Sequence, residues 1–268
     1  MGAQRWLKFG MINVQAAEFM KILIILILSQ YFNNIHSNIN NSLSIHLITF
    51  LLVIIPVLLI IKQPNLGTGI IITMNIIIIL YLIGIKISYF LILVCILATM
   101  APIFWNVLYP YQKQRLIVFF YPEQDPLGAG YNILQSIISI GSGGFYGKGF
   151  LQGSQNQLKF LPENHTDFIF ALIAEEGGFL ICVIIFVIYI IVLILLLFFS
   201  LNCCSRFQRI FIGGYAALLF LHVYINIAMI SGLIPVVGVP LPFISYGGSN
   251  ILAMTIGASL VVNFVVTK

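Results

Sequence analysis

The sequence predicts an all-α fold, a polytopic transmembrane helix bundle of about seven spans with one long hydrophilic loop. Three observations carry that prediction. Hydrophobic residues make up 61% of the chain and charged residues 7%, with a mean hydropathy of +1.11, whereas a soluble domain has about a quarter of its residues charged. Residues 22–61, 63–85, 87–112, 177–205 and 210–267 contain no Asp, Glu, Lys or Arg. The apolar stretches are continuous, not alternating over about ten positions as barrel strands do, so the spans are helices. The same composition excludes a disordered chain. At about 20 residues per span, seven or eight spans with their loops use up the 268 residues. One membrane domain over 1–268 is therefore expected, with no room for a second.

Taken in order, the spans are 17–32, 44–61, 67–84, 87–107, 166–199, 209–231 and 249–266, the fifth being long. The polar run from Asn33 to Ser42 interrupts the first window, because its side-chain amides compete with helical backbone bonds. Residues 62–67 and 84–86 read as tight turns. Pro235, Pro240 and Pro242, set among glycines, break the last window into a loop or re-entrant segment. Residues 108–165 form the one long hydrophilic loop, with an amphipathic or re-entrant helix near Tyr131–Ile140 ahead of Gly141-Ser142-Gly143-Gly144. Short-loop cations are equal on the two faces, Arg5, Lys8, Lys21 and Lys62 against Lys86, Arg206, Arg209 and Lys268, so charge alone does not orient the bundle.

Cys95, Cys182, Cys203 and Cys204 lie in or at the ends of apolar runs without CxxC spacing and read as small hydrophobes. The net charge of +5 is spread over short loops. That pattern argues against nucleic acid and for anionic membrane lipids or an anionic lipid-linked substrate.

The acids are concentrated: six of the seven, Glu123, Asp125, Glu163, Asp167, Glu175 and Glu176, lie between 123 and 176. Asp167 opens a long apolar helix, with Thr166 or Asp167 as its N-cap. Glu175 and Glu176 follow about 12 Å further along that helix, where an acid calls for a polar cavity or a cation. Lys113, Arg115, Lys148 and Lys159 are the candidate partners. Carboxylates and cations at one membrane surface describe a site that holds a diphosphate and takes up a proton. His222 and Asn226, one turn apart in an apolar span, read as a hydrogen-bonding pair between helices. His36 and His46 read as interfacial, and the aromatics at span ends as a membrane belt.

Three stretches carry more than composition. The first is Tyr121-Pro122-Glu123-Gln124-Asp125-Pro126-Leu127-Gly128-Ala129-Gly130-Tyr131, running on to Gly141-Ser142-Gly143-Gly144. The second is Leu161-Pro162-Glu163-Asn164-His165-Thr166-Asp167-Phe168-Ile169-Phe170 with Glu175-Glu176. The third runs from Ser231-Gly232-Leu233-Ile234-Pro235 through Val236-Val237-Gly238-Val239-Pro240-Leu241-Pro242 to Ser245-Tyr246-Gly247-Gly248-Ser249. In this order they closely resemble the SEDS family (shape, elongation, division and sporulation), in the form of its rod-elongation branch, and the resemblance runs from Gly2-Ala3-Gln4-Arg5-Trp6 to the end.

The resemblance implies a peptidoglycan glycosyltransferase that polymerises lipid II, the undecaprenyl-diphosphate-linked disaccharide peptide, for cell-wall elongation and rod shape. It implies a multi-pass protein of the bacterial cytoplasmic (inner) membrane with its active site on the outer face, so that 108–165 is a long extracytoplasmic (extracellular) loop, the proline-glycine loop also faces outward and the C-terminus is cytoplasmic. Its partners would be a class B penicillin-binding protein and the elongation machinery. The family's His-Thr-Asp motif makes Asp167 the catalytic residue. Substrate contacts would come from Lys113, Arg115, Lys148, Glu163, His165, Thr166, Glu175, Ser245 and Tyr246. The acceptor hydroxyl needs a base, and the leaving diphosphate is neutralised either by cationic side chains or by a divalent metal cation (Mg or Mn), with Asp167 as the metal's residue in the second case. Attack opposite the leaving group inverts the anomeric centre, as in inverting glycosidases.

Three departures from the family pattern stand out. About three further spans usually precede Gly-Ala-Gln-Arg-Trp. The usual Gln-Pro-Ser-Glu is here Gln15-Ala16-Ala17-Glu18. The usual Gln-Pro-Asp-Leu-Gly-Thr is Gln63-Pro64-Asn65-Leu66-Gly67-Thr68, which loses a carboxylate. Two other functions stand beside the enzyme: a flippase for the lipid-linked precursor, which Glu175 and Glu176 would suit, and an N-terminally truncated, non-catalytic scaffold for a penicillin-binding protein, which the short N-terminus and Asn65 would suit.

Overall fold

A computed structural model describes residues 6–9, 12–35, 43–63, 66–107, 110–125, 128–153 and 165–267. Among these the helices are α1 (Ala16–Asn33), α2 (Leu43–Lys62), α3 (Leu66–Ile83), α4 (Ile87–Val107), α5 (Pro110–Phe120), α6 (Ala129–Gly143), α7 (Ile169–Asn202), α8 (Arg206–Ile230) and α9 (Gly248–Val266). Seven of them fall on the expected spans to within three residues at each end. By length and composition α1, α7, α8 and α9 are long and apolar enough to cross a membrane, and α2, α3 and α4 carry the shorter apolar stretches Leu47–Ile60, Gly67–Ile83 and Ile87–Met100.

Two elements differ from expectation. A small antiparallel hairpin, β1 (Leu7–Phe9) with β2 (Ile12–Val14), pairs Leu7 with Val14 and Phe9 with Ile12. Strands of three residues are too short for a period-2 pattern to declare itself. Helix α5 occupies the start of what reads as loop in the sequence. Its Pro110 stands at the first helical position, where the missing N–H costs nothing, and it buries Gln112 and Val118 while carrying Lys113 and Arg115. Its cations keep it from resembling a span.

The contacts divide the chain into two compact units, Met1–Leu91 with Val192–Leu221 and Gly247–Lys268, and Ile92–Ile191 with His222–Tyr246. In the first unit α1 packs against α2, α3 and α9, and Ile25, Ile72, Ile79, Phe211 and Leu218 are fully enclosed. The Ser249 hydroxyl ties the hairpin to α9, accepting from the Gln15 N–H at 3.0 Å and donating to the Asn13 carbonyl at 3.3 Å. Within α1 the buried Lys21 ammonium meets the buried Glu18 carboxylate at 2.6 Å, one helical turn apart.

In the second unit α5 and α6 pack on each other. Helix α6 is held by two buried serines, Ser136 donating to the Ile230 carbonyl at 2.8 Å and Ser139 to the Ala171 carbonyl at 3.0 Å. Its opposite side leaves Ile137 and Ile138 exposed, which agrees with the amphipathic helix expected there.

Helix α7 is 34 residues long, roughly 51 Å, against a hydrocarbon core of about 30 Å. It is broken at Gly178, whose φ of +69° and ψ of −170° are not helical; a β-carbon there would also strike the Gly147 backbone. The backbone bonds lost at the break are replaced by the segment after α6. Phe179 and Leu180 donate to the Gly144 and Phe145 carbonyls, while the Glu175 and Glu176 carbonyls accept from Lys148 and Gly149. Residues 179–202 beyond the break carry no charge, and their 24 residues span about 36 Å. Glu175 and Glu176 therefore stand on the short limb before the break, not within the apolar stretch.

Candidate active site

The His165-Thr166-Asp167 turn precedes α7, and Phe168, not Thr166 or Asp167, occupies the N-cap position. Its carbonyl is the first helical acceptor, taking the Leu172 N–H. The three carbonyls before it are engaged outside the helix. His165 O accepts from the Tyr246 N–H at 2.9 Å, Thr166 O from the Ser245 hydroxyl at 2.6 Å, and Asp167 O from the Asn226 amide at 2.9 Å. These bonds explain why the helix begins later than the sequence suggests: the turn is extended across the 232–247 loop, so its backbone cannot coil one residue earlier.

That loop is itself built from the proline-glycine motif. Gly238 has a φ of +69°, a region that glycine enters without steric cost. A β-carbon at this position would lie 3.1 Å from Asp167 Oδ2, so the missing side chain leaves the carboxylate its place. Phe243 also has a positive φ, +63°, a conformation that costs a non-glycine residue about 1–2 kcal/mol. Its turn is fastened on three sides: the Ser245 N–H donates to the Leu241 carbonyl, the Leu241 N–H donates to the Ser245 hydroxyl, and the buried Tyr189 hydroxyl donates to the Pro242 carbonyl. Strain retained this way is usual beside functional groups.

Asn226, fully buried on α8, donates to Val239 O at 2.6 Å as well as to Asp167 O. His222, one turn earlier, has Nδ1 at 3.4 Å from Pro240 O. The pair expected to join two helices thus pins the loop and the Asp167 turn to α8. Their i, i+4 spacing was visible in the sequence; the identity of their partners was not, because main-chain acceptors leave no sequence mark. Tyr189 had no signal at all within its apolar run.

Among the cations, Arg115 reaches the same loop, donating from Nη1 to Val236 O at 3.0 Å. Lys113 lies two residues away on α5 and is half-buried, a spacing that puts the two side chains on different helix faces. Lys148 serves Glu175. Its ammonium lies 2.7 Å from Glu175 Oε1, with the lysine side chain 31% exposed and the glutamate fully enclosed. Glu175, with no exposed surface, is therefore placed as an internal anchor and not as the substrate contact expected from the sequence. Tyr246 is exposed at the loop's end, and so is His165. Glu163 and Lys159 lie outside the described residues.

The second unit thus gathers Asp167, Arg115, His165, Thr166, Ser245 and Tyr246 around one rigid proline-glycine loop of a membrane protein. The chain belongs to the FtsW/RodA/SpoVE cell cycle protein family, which it matches over residues 1–268. It is 42% identical over 263 residues to the peptidoglycan glycosyltransferase MrdB of Escherichia coli K12, covering 98% of this chain and 70% of that protein. It is 32% identical to stage V sporulation protein E of Bacillus subtilis 168, covering 98% of this chain and 71% of that one. Among solved structures it resembles a chain described under the structural coordination of polymerization and crosslinking by a peptidoglycan synthase complex, with a TM-score of 0.82, 28% identity and coverage of 98% and 73%. The rod shape determining protein RodA of Thermus thermophilus shares the fold, with a TM-score of 0.65, 24% identity and coverage of 97% and 68%.

Proposed function

We propose that this chain is a peptidoglycan glycosyltransferase that polymerises lipid II, with Asp167 as the general base. The observation that carries the reading is the backbone clamp, in which three successive carbonyls of the His-Thr-Asp turn are bonded to Tyr246, Ser245 and Asn226. The clamp fixes the turn that carries the Asp167 carboxylate, beside a glycine at which a β-carbon would lie 3.1 Å from Oδ2. A positioned carboxylate within reach of the acceptor hydroxyl takes up its proton as the sugar oxygen bonds to the anomeric carbon of the donor. The bond from that carbon to the diphosphate breaks, and negative charge collects on the leaving oxygens.

Arg115 on α5, whose Nη1 donates to Val236 O of that loop, is the cation assigned to meet that charge, and its planar fork suits phosphate. Lys113 would serve from another face of α5. His165 and Tyr246, both exposed, are the candidates for sugar contacts, while Thr166 and Ser245 hold the turn. Among the described residues no group of three or more His, Cys, Asp or Glu side chains converges, so a divalent cation would be held by the Asp167 carboxylate together with the substrate's own diphosphate, where it would add to the neutralisation that the cationic side chains supply. The family resemblance supports placing the site on the outer face of the bacterial cytoplasmic membrane, with a class B penicillin-binding protein as partner.

The test is polymerisation of labelled lipid II by the purified chain in proteoliposomes, alone and with a cognate class B penicillin-binding protein. Glycan strands in either condition support the enzyme. Translocation of lipid II without polymer would favour the flippase, and partner binding without product would favour the scaffold.

A further inference from the structure

We propose that a cavity where α7 gives way to α8 binds the phosphate group of an anionic membrane lipid. The cavity has a volume of about 470 Å³ and is lined by Leu82, Ile83, Ser200, Leu201, Arg206 and Arg209, with Cys204 and Ile210 completing the wall. That volume is within the range of small-molecule sites. All its walls belong to one compact unit. Ser200 and Leu201 stand in the last turn of α7, and none of the lining residues is one of those assigned to the candidate active site.

Its electrostatics are one-sided. Arg206 and Arg209 are three residues apart in the first turn of α8 and therefore share a helix face. One nitrogen of each guanidinium is anchored to a carbonyl, Arg206 Nη1 to Ile35 O at 2.7 Å and Arg209 Nη2 to Cys203 O at 3.2 Å. A guanidinium has five N–H donors and no acceptor, so these anchors orient the forks without using them up. Among the described residues no carboxylate lies in the compact unit that holds them except Glu18. Outside residues 123–176 the chain has a single acid, Glu18, and that one is buried against Lys21 at 2.6 Å. Among the described residues neither arginine forms an ion pair. Two such forks on one face match the geometry of a phosphate, which accepts paired N–H bonds.

The remainder of the lining is apolar and open. Leu82 is 49% exposed and Leu201 is 74% exposed, at the ends of two apolar helices. A soluble anion has no use for such a rim, whereas acyl chains lie on it naturally. Cations at the membrane edge are drawn to anionic lipids by about 1 kcal/mol each.

The experiment is native mass spectrometry of the whole chain in detergent with equimolar phosphatidylglycerol and phosphatidylcholine, with thermal melting as the check on folding. Wild type is expected to retain phosphatidylglycerol at least tenfold over phosphatidylcholine. Arg206→Gln/Arg209→Gln should lower phosphatidylglycerol retention about thirtyfold, two cations' worth, while Lys62→Gln, outside the cavity, should not change it. Leu82→Trp fills the cavity and keeps both arginines, so it should lower retention even if the double variant fails to fold. Equal retention of the two lipids by wild type, or undiminished phosphatidylglycerol binding in both cavity variants, would overturn the proposal. So would inorganic phosphate that displaces phosphatidylglycerol while Leu82→Trp has no effect, which would assign the arginines to a free anion. None of these readouts depends on glycosyl transfer.

Discussion

Asp167 and Glu175 stand eight residues apart on either side of the first turn of α7, and they are held in opposite ways. At Asp167 the main chain is clamped, by Asn226 directly and by Ser245 and Tyr246 through the two preceding residues. The side chain is only half-buried. At Glu175 the side chain is the clamped part, enclosed completely and bonded to Lys148 at 2.7 Å. In the proposed mechanism the Asp167 carboxylate exchanges a proton with substrate, and the main-chain clamp holds the turn that carries it. A carboxylate whose oxygens are spent on a lysine is an anchor, here fastening the 144–149 segment to the helix break at Gly178.

Variants can break this contrast in order of size. Asp167→Asn keeps shape and clamp but cannot take up a proton, and should lower lipid II polymerisation by about 10²–10⁴-fold, the worth of a positioned base. Lys148→Met should act on stability, because it leaves a fully enclosed carboxylate without its cation. About 3–5 kcal/mol is expected, read as a fall in melting temperature, and Lys148→Met/Glu175→Met should recover most of it. Asn226→Ala removes two buried donors, at about 1–3 kcal/mol. It should lower kcat more than it raises KM, since the turn is loosened while the exposed contacts remain. Gly238→Ala should be mildest: about 1 kcal/mol for a β-carbon at positive φ, and a few-fold loss of rate from crowding Asp167 Oδ2.

The helices were legible in the sequence because charge-free windows and their interruptions are written in composition. The start of α7 was displaced by three residues for a reason composition does not hold: the carbonyls of Thr166 and Asp167 are taken by Ser245 and Asn226, far along the chain. Helix α5 was hidden by Lys113 and Arg115, which a reader of spans takes for loop. The Lys148–Glu175 partnership was among the pairings the charges suggested, and the structure forms it. What stayed illegible were the loop's acceptors, since the carbonyls of Val236, Val239, Pro240 and Pro242 are hydrogen-bonded by Arg115, Asn226, His222 and Tyr189 regardless of their own side chains. His222 and Asn226 showed as polar residues in an apolar helix, with no hint that they face a loop.

The contrast between a carboxylate held by its backbone and one held by its side chain is tested most directly by turnover per folded molecule. Polymerisation rate and melting temperature would be measured on the same proteoliposome preparations of wild type, Asp167→Asn and Lys148→Met. Asp167→Asn is expected to melt with wild type and polymerise at least about a hundredfold more slowly, while Lys148→Met melts early and still polymerises in proportion to the folded fraction. An Asp167→Asn protein that polymerises at the wild-type rate, or that loses activity only as far as it loses its fold, would contradict the assignment of Asp167 as the base.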